Sequence, residues 1–380
     1  MGRRGLQEQR IALAVRHRFH SICPYFAMFP EAFAEKWIAR LTRPGDAVLD
    51  PFSGRGTTAF QALLMGRQSV ACDVNEVAYC LTKAKTNAPT LPGLRRRMSV
   101  LEGDFDERAW SHEADAQGDF FRYAFARRTL RQLLYLRNRL QWRTTRTDAM
   151  VAALALGSLH GEREGSGYYL SNQMPRTIST KPAYSIRFWK KHGLEKPPDR
   201  DVFEILRNRA AYRYVSPIPS GNSIVFLRDM RELPWLRSTP FRPIRAVITS
   251  PPYFDVTNFE EDQWLRLWFL GGPPSPTRNR LSRDDRYTSE DKYWGFIADM
   301  WRSLGRILPT GAHVVIRMGS SRTAPARLHQ MLTACSLLSG RAIESVSNEI
   351  STLRHRQTDA FRPGSRGVCL EVDSVFRVAG

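Results

Sequence analysis

Four residues, Ala47-Val48-Leu49-Asp50, run directly into Pro51-Phe52-Ser53-Gly54-Arg55-Gly56-Thr57-Thr58 and then into the helical run Ala59 to Met65. This order of buried strand, tight turn and helix leaves the chain few ways to fold. The two glycines permit positive φ and let a ligand approach the backbone, and the first N–H groups of the helix face whatever sits there. No Lys follows Gly56, as a phosphate-binding G-K-[ST] loop would require. A second apolar run, Ser69 to Cys72, ends at Asp73, seventeen positions after Gly56. That is close to the spacing at which an acidic side chain meets a ribose diol in doubly wound nucleotide folds. A parallel α/β sheet with its chemistry at the strand tips is the expected architecture.

A second stretch has the same logic. Ala246-Val247-Ile248 leads into Thr249-Ser250-Pro251-Pro252-Tyr253. Two prolines fix two φ angles and donate no backbone hydrogen bonds, so the carbonyls of Ser250 and Pro251 can stay available as acceptors. The Ser250 hydroxyl is a further acceptor, and Tyr253 offers an aromatic face for a planar ring. Taken alone the pentapeptide is equally a polyproline or turn element.

The α/β rhythm continues elsewhere. A helix is expected over Glu31 to Leu41, a third strand over Ser223 to Leu227 ending near Asp229, and the fourth over Ile244 to Ile248. Asn258 to Asp262 places acids at the start of a helix carrying Trp264, Leu267 and Trp268, where they favour its dipole. Further on come a helix over Lys292 to Leu308, a strand over His313 to Arg317, a helix from Ala324, and two late strands, Ile343 to Ser347 and Val368 to Phe376. Between roughly Leu94 and Ser220 the alternation stops and helical patterns dominate. The expected division is residues 1–93 and 221–380 as one sheet domain and 94–220 as a mainly helical insertion.

Lys and Arg exceed Asp and Glu by 57 − 37 = 20, which points to a polyanionic partner such as nucleic acid. From Phe121 to Arg146 there are eight arginines and no acid, with Tyr123, Tyr135 and Trp142 among them. Arg127, Arg128 and Arg131 are candidate phosphate contacts, joined by Arg176 and Lys181 in the polar loop beyond, although an Arg-rich helix is equally a solvated face. Five cysteines without a C-x-x-C pair suggest free thiols in a reducing, cytoplasmic compartment. His17, His20 and Cys23 recur at spacing three without a fourth ligand, so no metal is expected. No apolar run is long enough for a membrane span, and no membrane partner is expected.

With both motifs in view, the chain resembles the S-adenosylmethionine-dependent amino-methyltransferases of DNA, particularly the cytosine-N4 branch. The resemblance rests on Asp50 to Thr58 and on Ser250-Pro251-Pro252-Tyr253. It implies a seven-stranded Rossmann-like methyltransferase sheet and S-adenosyl-L-methionine as cofactor. The implied cofactor residues are Phe29, Asp50, Phe52, Gly54, Gly56, Thr57, Thr58, Asp73 for the ribose and Asp229 for the adenine amine, with Asp104 as a rival to Asp229. The implied catalytic residues are Ser250, Pro251, Pro252 and Tyr253, acting on the exocyclic amine of a flipped base in double-stranded DNA. Adenine-N6 transfer, RNA base methylation and a silent DNA-binding protein stay open as alternatives, as does a cognate restriction endonuclease as partner. Carbon-5 cytosine methylation needs a Pro-Cys nucleophile, which this sequence lacks. The insertion departs from the commonest family arrangements, which place the recognition region after the third strand or after the catalytic tip.

Overall fold

The computed structural model describes residues 16–25, 28–161, 167–174, 181–238, 243–254, 259–276, 289–352 and 368–380. In chain order, α1 (Glu31–Leu41) precedes β1 (Ala47–Asp50), α2 (Thr57–Leu64), β2 (Gln68–Asp73) and α3 (Glu76–Thr86). Seven helices come next without an intervening strand among the described residues: α4 (Leu91–Gly103), α5 (Ser111–Asp115), α6 (Asp119–Ala124), α7 (Arg127–Arg139), α8 (Arg146–Leu156), α9 (Pro182–Lys191) and α10 (Val202–Arg213). The sheet resumes with β3 (Ser223–Leu227) and β4 (Ile244–Thr249), then α11 (Phe259–Asp262), α12 (Trp264–Phe269) and α13 (Glu290–Ile307). The remaining elements are β5 (His313–Gly319), α14 (Pro325–Ser336), β6 (Ile343–Thr352) and β7 (Leu370–Val378).

The seven strands form one sheet in the order β3-β2-β1-β4-β5-β7-β6. The first five run parallel, and β7 enters antiparallel between β5 and β6. This is the expected seven-stranded Rossmann-like sheet. Side chains alternate between its faces, so each central strand feeds two cores. Val48, Ala246, Ile248, Val315 and Val375 pack with Phe33 and Trp37 of α1. Leu49, Val247, Val314 and Ile316 pack with Ile297 and Trp301 of α13 on the other side.

Helices α4 to α10 share a third core with α3 and α12. Every residue of α8 from Asp148 to Leu156 is buried, so its apolar run is the interior of this helical layer. Asp148 is held there by two Arg97 nitrogens, Nε at 2.7 Å and Nη2 at 3.1 Å, and by the Gln141 N–H. Among the described residues no helix is long and apolar enough to cross a membrane.

One expected helix is two. The acids Glu261 and Asp262 belong to α11, and Gln263 breaks the chain before Trp264 opens α12. Gln263 caps the second helix with a backbone outside helical geometry, φ −104° and ψ 6°, and its side chain accepts the Arg266 guanidinium at 2.7 Å.

Candidate active site at the strand tips

β1 and β4 lie side by side, with Leu49 opposite Val247, and their C-terminal ends open on the same rim of the sheet. Two side-chain hydrogen bonds join the ends of these strands. Thr58, in the first turn of α2, donates its hydroxyl to the Ile248 carbonyl at 3.1 Å. Thr249 donates to Asp50 Oδ1 at 2.7 Å.

The turn between β1 and α2 is built on its glycines. Gly54 has φ +50° and Gly56 φ +73°. A Cβ on Gly56 would also stand 2.6 Å from Thr82 Oγ1 of α3, so at this position both dihedral and space require glycine. Asp73, at the end of β2, accepts the Gly54 N–H at 2.8 Å and the Asn75 N–H at 2.9 Å, which ties the second strand tip to the turn. Asp229 lies just beyond β3, whose Leu227 is opposite Asp73, and its carboxylate is gripped by Arg231 of the same turn at 2.8–2.9 Å. The rival Asp104 sits at the C-terminal cap of α4 instead, on the helical layer.

Asp50 is fully buried. Burial pushes its pKa up to about 7, against the Thr249 hydroxyl and the Phe52 N–H, which favour the charged form. Its Oδ2 has no hydrogen-bond partner among the described residues. Phe52 packs on Phe296 at 5.5 Å, and Phe29 packs edge-on against Phe33 at 4.9 Å. Thr57 is buried and accepts the Arg55 Nε at 3.2 Å. The buried Arg55 also reaches the His20 carbonyl and Glu31, both at 3.0 Å, and so straps the segment before α1 to the turn.

At the second tip, Pro251 is buried and the Pro252 carbonyl accepts the Tyr293 hydroxyl at 2.9 Å. Ser250 Oγ donates to the Tyr253 hydroxyl at 3.4 Å, and that hydroxyl donates to Glu371 Oε1 at 2.9 Å. Glu371 in turn faces Arg317, whose guanidinium holds Asp373 through Nε at 2.7 Å and Nη2 at 2.9 Å. Trp37 Nε1 donates to the same Asp373 at 3.2 Å. Sequence reasoning missed Arg317, Glu371 and Asp373. Their signal is two acids at period two inside an otherwise apolar strand, Leu370-Glu371-Val372-Asp373, which puts both on one face.

The three candidate arginines of α7 have intramolecular partners: Arg127 pairs with Asp115, Arg128 with Asp201 at 2.7 Å and Arg131 with Glu107 at 2.8 Å. Lys181 pairs with Glu261 at 3.1 Å, linking the start of α9 to α11 beyond the tip. Arg176 lies outside the described residues. A cavity of about 600 Å³ lined by Arg245, His313, Glu344 and Arg377 is at the opposite rim, where β4 and β5 begin.

Comparison with known protein families falls on the first of the two tips. A family model described as DNA methylase matches residues 8–84, which includes the turn between β1 and α2. This segment is similar to the DNA methylase family. The chain is 39% identical over 61 residues to the type II methyltransferase M.SmaI of Serratia marcescens, covering 16% of this chain and 21% of that one. It is 43% identical over 54 residues to the orphan methyltransferase M.BamHII of Bacillus amyloliquefaciens, covering 14% and 20%. The methylase similarity thus spans about a fifth of the length of these relatives. Among solved structures, TrmN from Thermus thermophilus aligns over 95% of this chain and 52% of its own at 11% identity, with a TM-score of 0.37. The rRNA methyltransferase aviRa from Streptomyces viridochromogenes aligns over 96% and 91% at 14% identity, with a TM-score of 0.34. The fold assignment rests on the strand order itself.

Proposed function

We propose that this protein is a DNA methyltransferase that moves a methyl group from S-adenosylmethionine to the exocyclic amine of a flipped base, cytosine N4 in the first instance. The observation that carries the reading is the double tie between neighbouring strand tips, Thr58 to the Ile248 carbonyl and Thr249 to Asp50. It puts the methylase-type turn beside Ser250-Pro251-Pro252-Tyr253.

The residues present fit the cofactor. Gly54 and Gly56 take the positive φ that lets a ligand approach the turn, Asp73 and Asp229 stand at the ends of adjacent parallel strands where a ribose and an adenine amine would be read, and Asp50 keeps a buried oxygen with no hydrogen-bond partner among the described residues. When bound, the cofactor supplies an electrophilic methyl group on a sulfonium leaving group. The protein's part is positioning and acceptors. A ring amine is a poor nucleophile because its lone pair is delocalised. Hydrogen bonds from its protons to Ser250 Oγ and the Pro251 carbonyl favour pyramidalisation as attack begins. Tyr253 supports the extruded ring. Helical residues 94–220 supply the DNA-recognition region, with Arg127, Arg128, Arg131, Arg176 and Lys181 toward phosphates. Ion pairs with surface acids are weak enough to exchange for a phosphate. A cognate restriction endonuclease is a partner to seek beside the gene.

The test is labelled cofactor offered with DNA and with RNA, followed by nucleoside mass spectrometry. N4-methylcytosine in DNA is expected. N6-methyladenine would move the acceptor, label in RNA alone would replace the substrate class, and cofactor binding without label in either would leave a silent binding protein.

A further inference from the structure

Arg317, Asp373 and Glu371 form a buried cluster with one positive and two negative side chains, each less than a tenth exposed. Asp373 is fully engaged by the Arg317 fork and by Trp37, and the Arg317 guanidinium lies 4.1 Å over the Phe33 ring. Glu371 has a looser hold on the same guanidinium, 3.4 Å from Arg317 Nη1, and among the described residues its hydrogen-bond donor is Tyr253. Opposite it in the β5–β7 ladder is Gly319, where a Cβ would stand 2.5 Å from Val368 Cγ1 and 3.2 Å from Glu371 Cγ, so the missing side chain makes room for both. A surplus buried negative charge is costly unless something positive arrives to meet it.

Resting on the amine-methylation reading above, we propose that Glu371 accepts the proton the target amine loses, relayed through Ser250 and Tyr253. The hydroxyls are already oriented for it, Ser250 toward Tyr253 and Tyr253 toward Glu371. As the nitrogen lone pair forms the N–C bond, the C–S bond breaks and its electrons stay on sulfur as a thioether. The methylated nitrogen then carries one proton too many. That proton passes to Ser250 Oγ, the Ser250 proton to the Tyr253 oxygen, and the Tyr253 proton to Glu371 Oε1. The cluster goes from net −1 to neutral, so it opposes the charge developing on nitrogen and ends without an unpaired ion. Among the described residues, the charged groups around Glu371 are Arg317 of β5 and Asp373 of β7. Lys36 and Arg40 of α1 are taken by Glu349 of β6. Burial, more than Arg317 and the Tyr253 hydroxyl offset it, raises the Glu371 pKa, which makes it the stronger base. Glu371 acts only through Tyr253 and is a positioning residue by that measure.

The experiment compares Glu371→Gln, Tyr253→Phe and the double variant in single-turnover methyl transfer across pH. Calorimetry follows cofactor binding, and infrared titration of the protein without cofactor follows its carboxyl groups. Each single variant is expected to slow transfer on the order of 100-fold, the double no more than either, with cofactor affinity unchanged. The acid-side fall in the wild-type rate should vanish in Glu371→Gln. One buried carboxyl band titrating above the ordinary glutamate range should vanish with it. Tyr253→Phe leaves the Arg317 cluster intact, so full activity in that variant overturns the relay, as do additive losses or an unchanged carboxyl titration in Glu371→Gln. A wild type that methylates neither DNA nor RNA overturns the amine-methylation reading and the relay together; an active wild type with unaffected variants overturns the relay alone.

Discussion

Thr249 gives its hydroxyl proton to Asp50 across the β1–β4 boundary at 2.7 Å, so the last residue of one tip strand is hydrogen-bonded to the last residue of the other. Removing that donor takes one of the hydrogen bonds from a buried carboxyl and leaves it the Phe52 N–H. Thr249→Val, which keeps the volume, should cost about 1–3 kcal/mol of stability by chemical denaturation. An unchanged denaturation midpoint would show that the bond is dispensable.

The same carboxyl gives a pH dependence with a definite sign. Its folded pKa of about 7 is higher than that of an unfolded aspartate, so the folded state holds the proton more tightly. The contribution is complete below the unfolded value and is lost as pH rises through about 7. Asp50→Asn lacks this titration, so the melting temperature of the variant minus that of wild type should grow from about pH 5 to about pH 8. A flat difference would mean that Asp50 is charged throughout.

Gly56→Ala meets two obstacles at once, a φ of +73° and a contact at 2.6 Å with Thr82 Oγ1. A loss of about 1–3 kcal/mol is expected, with weakened cofactor binding because the turn must shift. Adding Thr82→Ala should restore only the part due to crowding, which thermal melts of the single and double variants would separate.

Binding and transfer should separate by tip. Asp73→Ala releases the Gly54 N–H and should weaken cofactor binding, as read by calorimetry. Ser250→Ala and Tyr253→Ala should abolish methyl transfer and leave cofactor binding within about twofold. Full transfer by Tyr253→Ala would remove its stacking role.

For the helical layer, replacing Arg127 frees Asp115 and removes one cation. If that arginine exchanges its acid for a phosphate, DNA affinity should fall uniformly across sequences and the salt slope should drop by about one. Equal slopes for Arg127→Ala and wild type would assign the pair to structure alone.

The parts of this molecule legible in its sequence are those whose physics is local. Ala47 to Asp50 and Ser223 to Leu227 stand at the expected bounds, because a short apolar run closed by a turn residue can be little else in an α/β chain. Helix α1 does too, between Pro30 and the turn at Thr42. The Gly54-Arg55-Gly56 turn is legible because positive φ selects glycine. The hidden part depends on distant partners. Arg55 gives no local sign of burial, yet it is buried against residues 24 and 35 positions away. Arg131 reads as a phosphate contact, and whether it has an acid of its own depends on how α7 packs. The Glu371 contact with Tyr253 spans 118 positions, and no spacing rule reaches that far.

The reversed direction of β7 decides where its first residues arrive. Entering against its neighbours, it sets Glu371 opposite Gly319, at the end of β5 where the parallel strands finish. A strand laid in the common direction would have carried that carboxylate to the far rim, roughly 20 Å away at the usual rise per residue. Inverting one strand thus delivers an acid from late in the chain to a tip made much earlier, and makes that tip answerable to a strand laid down last in the sheet.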